Sequence, residues 1–355
     1  MGAAPLNPTP LTSEPLGAAR AWFRAHARVF PWTATHDPYA IWISEIMLQQ
    51  TVVSAGIAPY ERWMARWPDL PSLAAADESD VLAAWEGLGY ASRARNLHRA
   101  ARQVVAGGGT TLPSTYDQLR ELPGIGDYTA SALLAFAFGQ PALTLDANLK
   151  RIFQRLGATH RWTKEAEAAW RASWAALVEG PSSREANQAL MQLGQLVCTS
   201  RKPSCEVCPL SFVCVANRRG LQAEIPEPVV RTTTELQTNV AVVRRGAGVG
   251  LQFWLARPLT GRFSTLWLFP PLGSVEVRGL VPVGPLTARV HTYTRYKDLL
   301  SPTLFQLPGA AAPTLPTSGP LPAGWAGQWM TPAEAKLVGL VSVYRKILDE
   351  ALSLT

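Results

Sequence analysis

Outside residues 198–214 the chain of 355 residues contains no cysteine, so no disulfide framework braces it. No apolar run approaches the roughly 18 residues that a membrane span requires. The longest, residues 130–139, stops at Gln140-Pro141. Lysine is scarce, because arginine supplies 27 of the 33 basic residues. The opening MGAAPLNPTPLTSEP has neither a basic start nor an apolar segment, which excludes a signal peptide and predicts a short disordered tail on a cytosolic chain. There is no internal repeat. Charged residues make up 17% and hydrophobic ones 47%, a balance that excludes wholesale disorder. The length exceeds one ordinary core and suits two domains.

The net charge is +7 and the isoelectric point about 9.4. Arginine's planar fork suits phosphate, so a polyanionic partner fits this charge, although basic character alone does not demand one. Composition changes near residue 220. Before it, apolar positions recur every three or four residues, and nine of the thirteen tryptophans lie there. Residues 221–238 (LQAEIPEPVVRTTTELQT) read as a linker. Beyond it the period becomes two: residues 240–245 and 251–257 predict strands joined by GAGVG, with further strands over 265–269 and 303–307, a loop over 308–322 and a helix over 341–352. The expected architecture is multi-domain: an all-α domain over 15–220, a linker over 221–238, and a smaller α+β domain over 239–355.

The four cysteines, Cys198, Cys205, Cys208 and Cys214, have the spacing C-x6-C-x2-C-x5-C. Four thiolates in so short a loop suit one metal centre. Zinc more often uses two separated C-x2-C pairs, so the uneven spacing leans towards iron–sulfur. Four unligated buried thiols are the alternative. Arg201 and Lys202 lie between the first two cysteines, where a pinned loop would present them to phosphates.

Residues 122–139, LPGIGDYTASALLAFAFG, predict a Pro-Gly-Ile-Gly turn between two helices. Gly124 and Gly126 let a backbone approach closely, and the following helix offers free N–H groups to an anion. Most such turns merely connect helices. In TLDANLKRIF, Asp146 opens another helix, either as a simple N-cap or as a carboxylate facing a cationic reaction centre. A helix is predicted over residues 39–56, with Ile41, Glu45, Leu48 and Val52 on one stripe. On an apolar stripe, Glu45 either snorkels to water or is desolvated, which would raise its pKa and suit it to donate a proton. Arg93, Arg95, His98 and Arg99 form a basic run on one helix, read either as a solvated face or as phosphate contacts.

SEIMLQQT, GLGYASRARNLH, LPGIGDYTA, LDANLKR and the cysteine loop occur in the order found in the helix-hairpin-helix DNA glycosylases. They resemble the MutY-type adenine DNA glycosylases most closely, strongly over residues 15–220 and more loosely over 236–355. The resemblance implies roles residue by residue. Glu45 stands at the catalytic acid that protonates adenine, and Asp146 at the carboxylate that stabilises the oxocarbenium-like sugar. Tyr128 and Asn148 match assisting groups. Gln50 and Tyr90 match residues that wedge into the vacated stack, and Trp32 and Gln188 match the lining of the adenine pocket. The cysteines match the ligands of a 4Fe-4S cluster.

The implied partner is double-stranded DNA carrying adenine opposite 8-oxoguanine, bound by a monomer with no membrane and localised with the nucleoid. Endonuclease III-type enzymes for oxidised pyrimidines carry a Schiff-base lysine in the hairpin. Tyr128 stands at that position, and a phenol forms no imine. A non-catalytic iron–sulfur DNA-binding protein is the other alternative, and the presence of both Glu45 and Asp146 argues against it. GRFSTLWLFP resembles part of the family's Nudix-like lesion-recognition domain. No Nudix box follows, since residues 275–287 hold one acid, Glu276, too few carboxylates for magnesium. The family's Phe-Ser-His probe aligns with Tyr293, Thr294 and Arg295, so arginine replaces histidine. Ala91 likewise replaces the second tyrosine often seen after Tyr90.

Overall fold

The helical periodicity of the first 220 residues becomes a run of helices in the computed structural model, which describes residues 11–180, 182–228, 232–259, 263, 266–275, 279–293, 295–308 and 325–354. The chain divides into two compact units, Met1–Val229 and Val230–Thr355. In the first unit the helices are α1 (Ser13–His26), α2 (Pro38–Met47), α3 (Val53–Arg66), α4 (Leu70–Ala74), α5 (Glu78–Ala84), α6 (Ser92–Ala106), α7 (Tyr116–Arg120), α8 (Asp127–Phe136), α9 (Ala147–Gly157), α10 (Lys164–Leu177), α11 (Ser182–Leu196) and α12 (Val215–Arg219). None among the described residues is long and apolar enough to cross a membrane.

Two hydrophobic cores organise this unit. One gathers Trp42, Met47, Trp63, Leu97, Leu119 and Leu133, from α2, α3, α6, α7 and α8. The other gathers Leu16, Leu149, Phe153, Trp170, Trp174 and Leu193, from α1, α9, α10 and α11. Full burial of Met47 or Leu133 contributes roughly 1.5–3 kcal/mol each. Met191 packs against both cores. The seam is sealed by Asn187, whose Oδ1 accepts from the N–H and the hydroxyl of Thr144 at 2.9 and 2.8 Å.

The helix expected over residues 39–56 is instead two helices. α2 ends at Met47 and α3 begins at Val53. A continuing helix would pair the carbonyls of Ile46, Met47 and Gln49 with N–H groups four residues on. The guanidinium of Arg93 takes these carbonyls instead, with Nη1 at 2.6, 3.4 and 2.8 Å from them. Gln50 then adopts φ +60°, and Val52 is exposed. The apolar stripe drawn through Leu48 and Val52 therefore does not exist as one helical face, and α2 is buried nearly all round.

The second unit holds β1 (Thr234–Arg245), β2 (Gln252–Pro258), β3 (Val281–Pro285), β4 (Arg289–Tyr293), β5 (Tyr296–Leu307), β6 (Trp325–Met330), α13 (Pro332–Leu337) and α14 (Ser342–Ser353). The sheet order is β3-β5-β1-β2-β6, with β4 also paired to β5. β1 starts at Thr234, inside the expected linker, because its first residues pair in parallel with β5 in the register Thr234↔Tyr296 to Thr238↔Leu300. β1 and β2 form the expected antiparallel hairpin. The strand expected over 265–269 reduces, among the described residues, to isolated bridges at Trp267 and Leu268. Pro270 and Pro271 follow and offer no N–H to a ladder. Nearly all of the loop expected over 308–322 lies outside the described residues. α14 lays Val343, Tyr344, Ile347 and Leu348 against the sheet core with Phe253, Leu255 and Phe269.

Candidate active site

α2 is started by Asp37, whose carboxylate accepts from the N–H groups of Tyr39 and Ala40, with Pro38 in the first turn. Its last turn carries Glu45. The residue keeps some exposed surface, while its carboxyl lies deep among protein atoms. Tyr128, at the start of α8, donates its hydroxyl to Glu45 Oε2 at 2.9 Å. Burial pushes the Glu45 carboxyl up to about 7; the phenol opposes this, and the negative charge of Asp146 adds to it. A carboxyl with that affinity holds a proton near neutral pH.

Asp146 does cap a helix, yet it also lies in the field of Glu45. Its Oδ1 accepts from the N–H of Leu149 at 2.7 Å, capping α9. Its Oδ2 accepts from Asn148 Nδ2 at 2.7 Å. Asn148 is held in turn by Arg151, whose Nη2 donates to Asn148 Oδ1 at 2.8 Å and to the Gly194 carbonyl at 2.7 Å, while Nε donates to the Cys198 carbonyl at 2.8 Å. A run of hydrogen bonds thus joins the cysteine loop to Asp146. Burial raises the Asp146 pKa, whereas these donors and the Arg151 charge favour its ionised form. Gly194 is required here because a Cβ would lie 2.6 Å from Asn148 Cβ. Arg151 and Gly194 escaped the sequence reading. The available signal was the polar series Asn148, Arg151 and Arg155, spaced three and four apart and so on one helical face.

The hairpin turn is exposed at Gly124 and Gly126. Gly124 has φ +81°, and a Cβ there would lie 2.7 Å from Asn96 Cβ, so both conformation and packing demand glycine. Gly126 begins α8 at φ −89° with open space around it, which leaves the helix terminus approachable. Trp32 is buried, stacked on Phe30 at 5.3 Å and edge-on to Tyr60 at 5.2 Å. Arg184 fixes the loop after it, donating to the carbonyls of Thr33 and Phe136 at 2.8 Å. Gln188 is half-buried on α11. Gln50 and Tyr90 are exposed at positive φ.

The basic run on α6 does not form one phosphate-facing surface. Arg93 is turned inward onto backbone carbonyls, His98 is buried, and Arg95 pairs with Glu78 at 3.0 Å. Helical periodicity rotates these residues onto different faces. By contrast, Arg201 and Lys202 are exposed, and among the described residues neither enters an ion pair.

Cys205, Cys208 and Cys214 each feel the charge of Cys198, which raises their pKa values. Burial, the larger cause, pushes Cys208 up to about 12 and also raises Cys205 and Cys214. Such thiolates require a cationic centre. Arg155, itself buried, donates from Nη1 to Cys198 Sγ at 3.3 Å and to the Thr199 carbonyl at 2.7 Å. Backbone N–H groups of Leu210, Asn217 and Ala216 favour the charged forms of Cys208 and Cys214. Among the described residues, no three His, Cys, Asp or Glu side chains are gathered as for one ion. Four thiols with N–H donors match a polynuclear iron–sulfur centre better than zinc.

In the second unit, Tyr293 packs with Phe263, His291 and Tyr296, with ring centroids 5.0, 4.7 and 5.6 Å away. The Arg295 guanidinium lies over Tyr296 at 5.3 Å. Thr294 and Glu276 lie outside the described residues.

Residues 43–176 match the HhH-GPD superfamily of base excision DNA repair proteins, and residues 198–214 match the iron-sulfur binding domain of endonuclease III. The adenine DNA glycosylase of Homo sapiens is 38% identical over 221 residues, 59% of this chain and 40% of that protein. The adenine DNA glycosylase of Mycobacterium tuberculosis (strain ATCC 25618 / H37Rv) is 35% identical over 195 residues, 54% of this chain and 64% of that protein. The chain is thus similar to the HhH-GPD superfamily over residues 43–176 and to adenine DNA glycosylases over more than half of its length. It spans less than two thirds of either relative. Among solved structures, that of a thermostable thymine-DNA glycosylase superposes with a TM-score of 0.54 at 29% identity, over 57% of this chain and 95% of that one. As in the matched iron–sulfur domain, Cys198, Cys205, Cys208 and Cys214 hold a 4Fe-4S cluster.

Proposed function

We propose that the chain is an adenine DNA glycosylase that binds duplex DNA and excises adenine opposite 8-oxoguanine or guanine by hydrolysis, without strand cleavage. The observation that carries this reading is the unequal pair of carboxyls: burial raises both, but Glu45, with a single phenol donor, reaches about 7, whereas Asp146 is held by the Leu149 N–H and the Asn148 amide beside the Arg151 charge. Environments that separate two carboxyls in this way assign the acid to one and the stabilising charge to the other.

The target adenine is extruded from the stack. Glu45, protonated, donates to a ring nitrogen and makes the base a better leaving group. As the N-glycosidic bond breaks, positive charge grows on the sugar, and ionised Asp146 stabilises it; water completes the hydrolysis. Tyr128 orients the Glu45 carboxyl, and Asn148 orients Asp146. Trp32 and Gln188 line the pocket for the extruded adenine. The exposed hairpin at Gly124 and Gly126, with Arg201 and Lys202, grips the backbone phosphates. The 4Fe-4S cluster pins the loop that carries these two cations. The second unit is a Nudix-like lesion reader, with Tyr293 and Arg295 at the oxidised guanine.

Tyr128 argues against a lyase, since it offers no amine to the sugar. The test is single-turnover excision from duplexes carrying adenine opposite 8-oxoguanine, G, C and T, and thymine opposite G, each with and without alkali. Alkali-dependent breaks at adenine opposite 8-oxoguanine and G are expected, with no complex trapped by borohydride. Glu45→Gln is expected to abolish excision while DNA binding stays nearly intact. Excision of thymine instead of adenine, or efficient trapping, would overturn the assignment.

A further inference from the structure

Arg93 is half-buried, and both terminal nitrogens of its guanidinium donate to main-chain oxygens, while its Nε is buried without a hydrogen-bond partner among the described residues. Nη1 serves the carbonyls of Ile46, Met47 and Gln49, at the end of α2. Nη2 serves those of Leu88 and Gly89, at 2.7 and 3.2 Å, in the turn before α6. The cation also lies 5.3 Å from the Trp85 ring and 5.7 Å from the Tyr90 ring. These two turns, some forty residues apart in sequence, share one feature. Each presents an exposed non-glycine residue in the left-handed region, Gln50 at φ +60° and Tyr90 at φ +49°. L-residues adopt that conformation only where the surroundings over-determine it.

We infer that Arg93 is a positioning residue that clamps the two turns together, so that Gln50 and Tyr90 stand ready as one two-pronged wedge before DNA arrives. This rests on the glycosylase reading, in which the wedge fills the gap left by the extruded adenine. A preformed wedge avoids ordering two turns at the moment of extrusion. Only a planar fork reaches both sets of carbonyls at once; a lysine ammonium carries the same charge without that reach. The outward cation expected here from sequence is thereby replaced by an inward one.

Arg93→Lys separates clamp from charge. In the full-length protein, amide hydrogen exchange without DNA is expected to rise in both turns, residues 48–51 and 88–91, while the thermal midpoint changes little. Unchanged exchange in both turns would overturn the clamp whether or not the chain excises adenine. Single-turnover excision from a duplex is expected to fall on the order of tenfold or more. The loss is expected to be largely recovered when mismatches flank the target and ease its extrusion. In a Gln50→Ala, Tyr90→Ala background, Arg93→Lys is expected to add almost nothing; a fully additive loss would overturn the inference. Absence of excision by the unaltered protein would instead refute the glycosylase reading, leaving the exchange result to decide the clamp.

Discussion

Replacing Glu45 by glutamine should stabilise the fold, and only above the pH at which a free carboxyl ionises. The Glu45 carboxyl moves from an ordinary 4.5 to about 7 on burial. Between these values the folded protein holds a proton that the unfolded chain has released, so stability falls as pH rises through the window. Above it the ionised carboxylate stays buried at full cost. At about 1.4 kcal/mol per pH unit, the penalty reaches about 3 kcal/mol at pH 8 and only about 1 kcal/mol at pH 5. Glutamine never ionises and keeps an oxygen for the Tyr128 hydroxyl. For a unit of this size, about 3 kcal/mol corresponds to a midpoint about 6–12 °C higher. Thermal unfolding of the two proteins at pH 5 and pH 8, followed by a signal specific to the helical unit, measures the difference. An equal gap at both values, or a variant less stable at pH 8, would refute the desolvation argument.

Three further outcomes follow from the same geometry. In Tyr128→Phe the phenol no longer favours ionised Glu45, so the falling alkaline limb of the excision pH profile should move upward by about a unit or less; a downward move would contradict this. Gly194→Ala lies in the last turn of α11, where alanine ordinarily gains up to about 1 kcal/mol. Here the new methyl would lie 2.6 Å from Asn148 Cβ, so a net loss of about 1–3 kcal/mol in denaturant unfolding is expected, with a larger fall in excision as Asn148 leaves Asp146. Arg201→Ala should weaken DNA binding uniformly across sequences and reduce the salt slope by about one, as read by titration at several ionic strengths.

The parts of the site that were legible in sequence are those set by local pattern. Cysteine spacing announces a metal loop because four thiolates within so short a segment can enclose one centre. Pro123-Gly124 announces a tight turn, and the φ of +81° there shows why. Asp146 before ANLKRIF announces a helix start, and the cap bond to Leu149 bears this out. What stayed hidden depends on partners distant in sequence. α2 stops at Met47 because a guanidinium some forty-five residues on takes its carbonyls, and no window around Met47 contains that information. β1 begins inside an apparent linker because Thr234 pairs with Tyr296 across sixty residues. The inward turn of Arg93 reversed an expectation founded on charge alone, since charge does not say which way a side chain points.

Asp146 caps the start of a helix with one oxygen while its other oxygen is held by Asn148. Position 146 is therefore constrained by two unrelated demands, and most replacements fail both, so an inactive protein by itself would reveal neither. Asparagine, nearly the same shape as aspartate, keeps a side-chain oxygen for the Leu149 amide while abolishing the charge. It is the substitution that makes this carboxylate's chemistry visible against an unaltered scaffold.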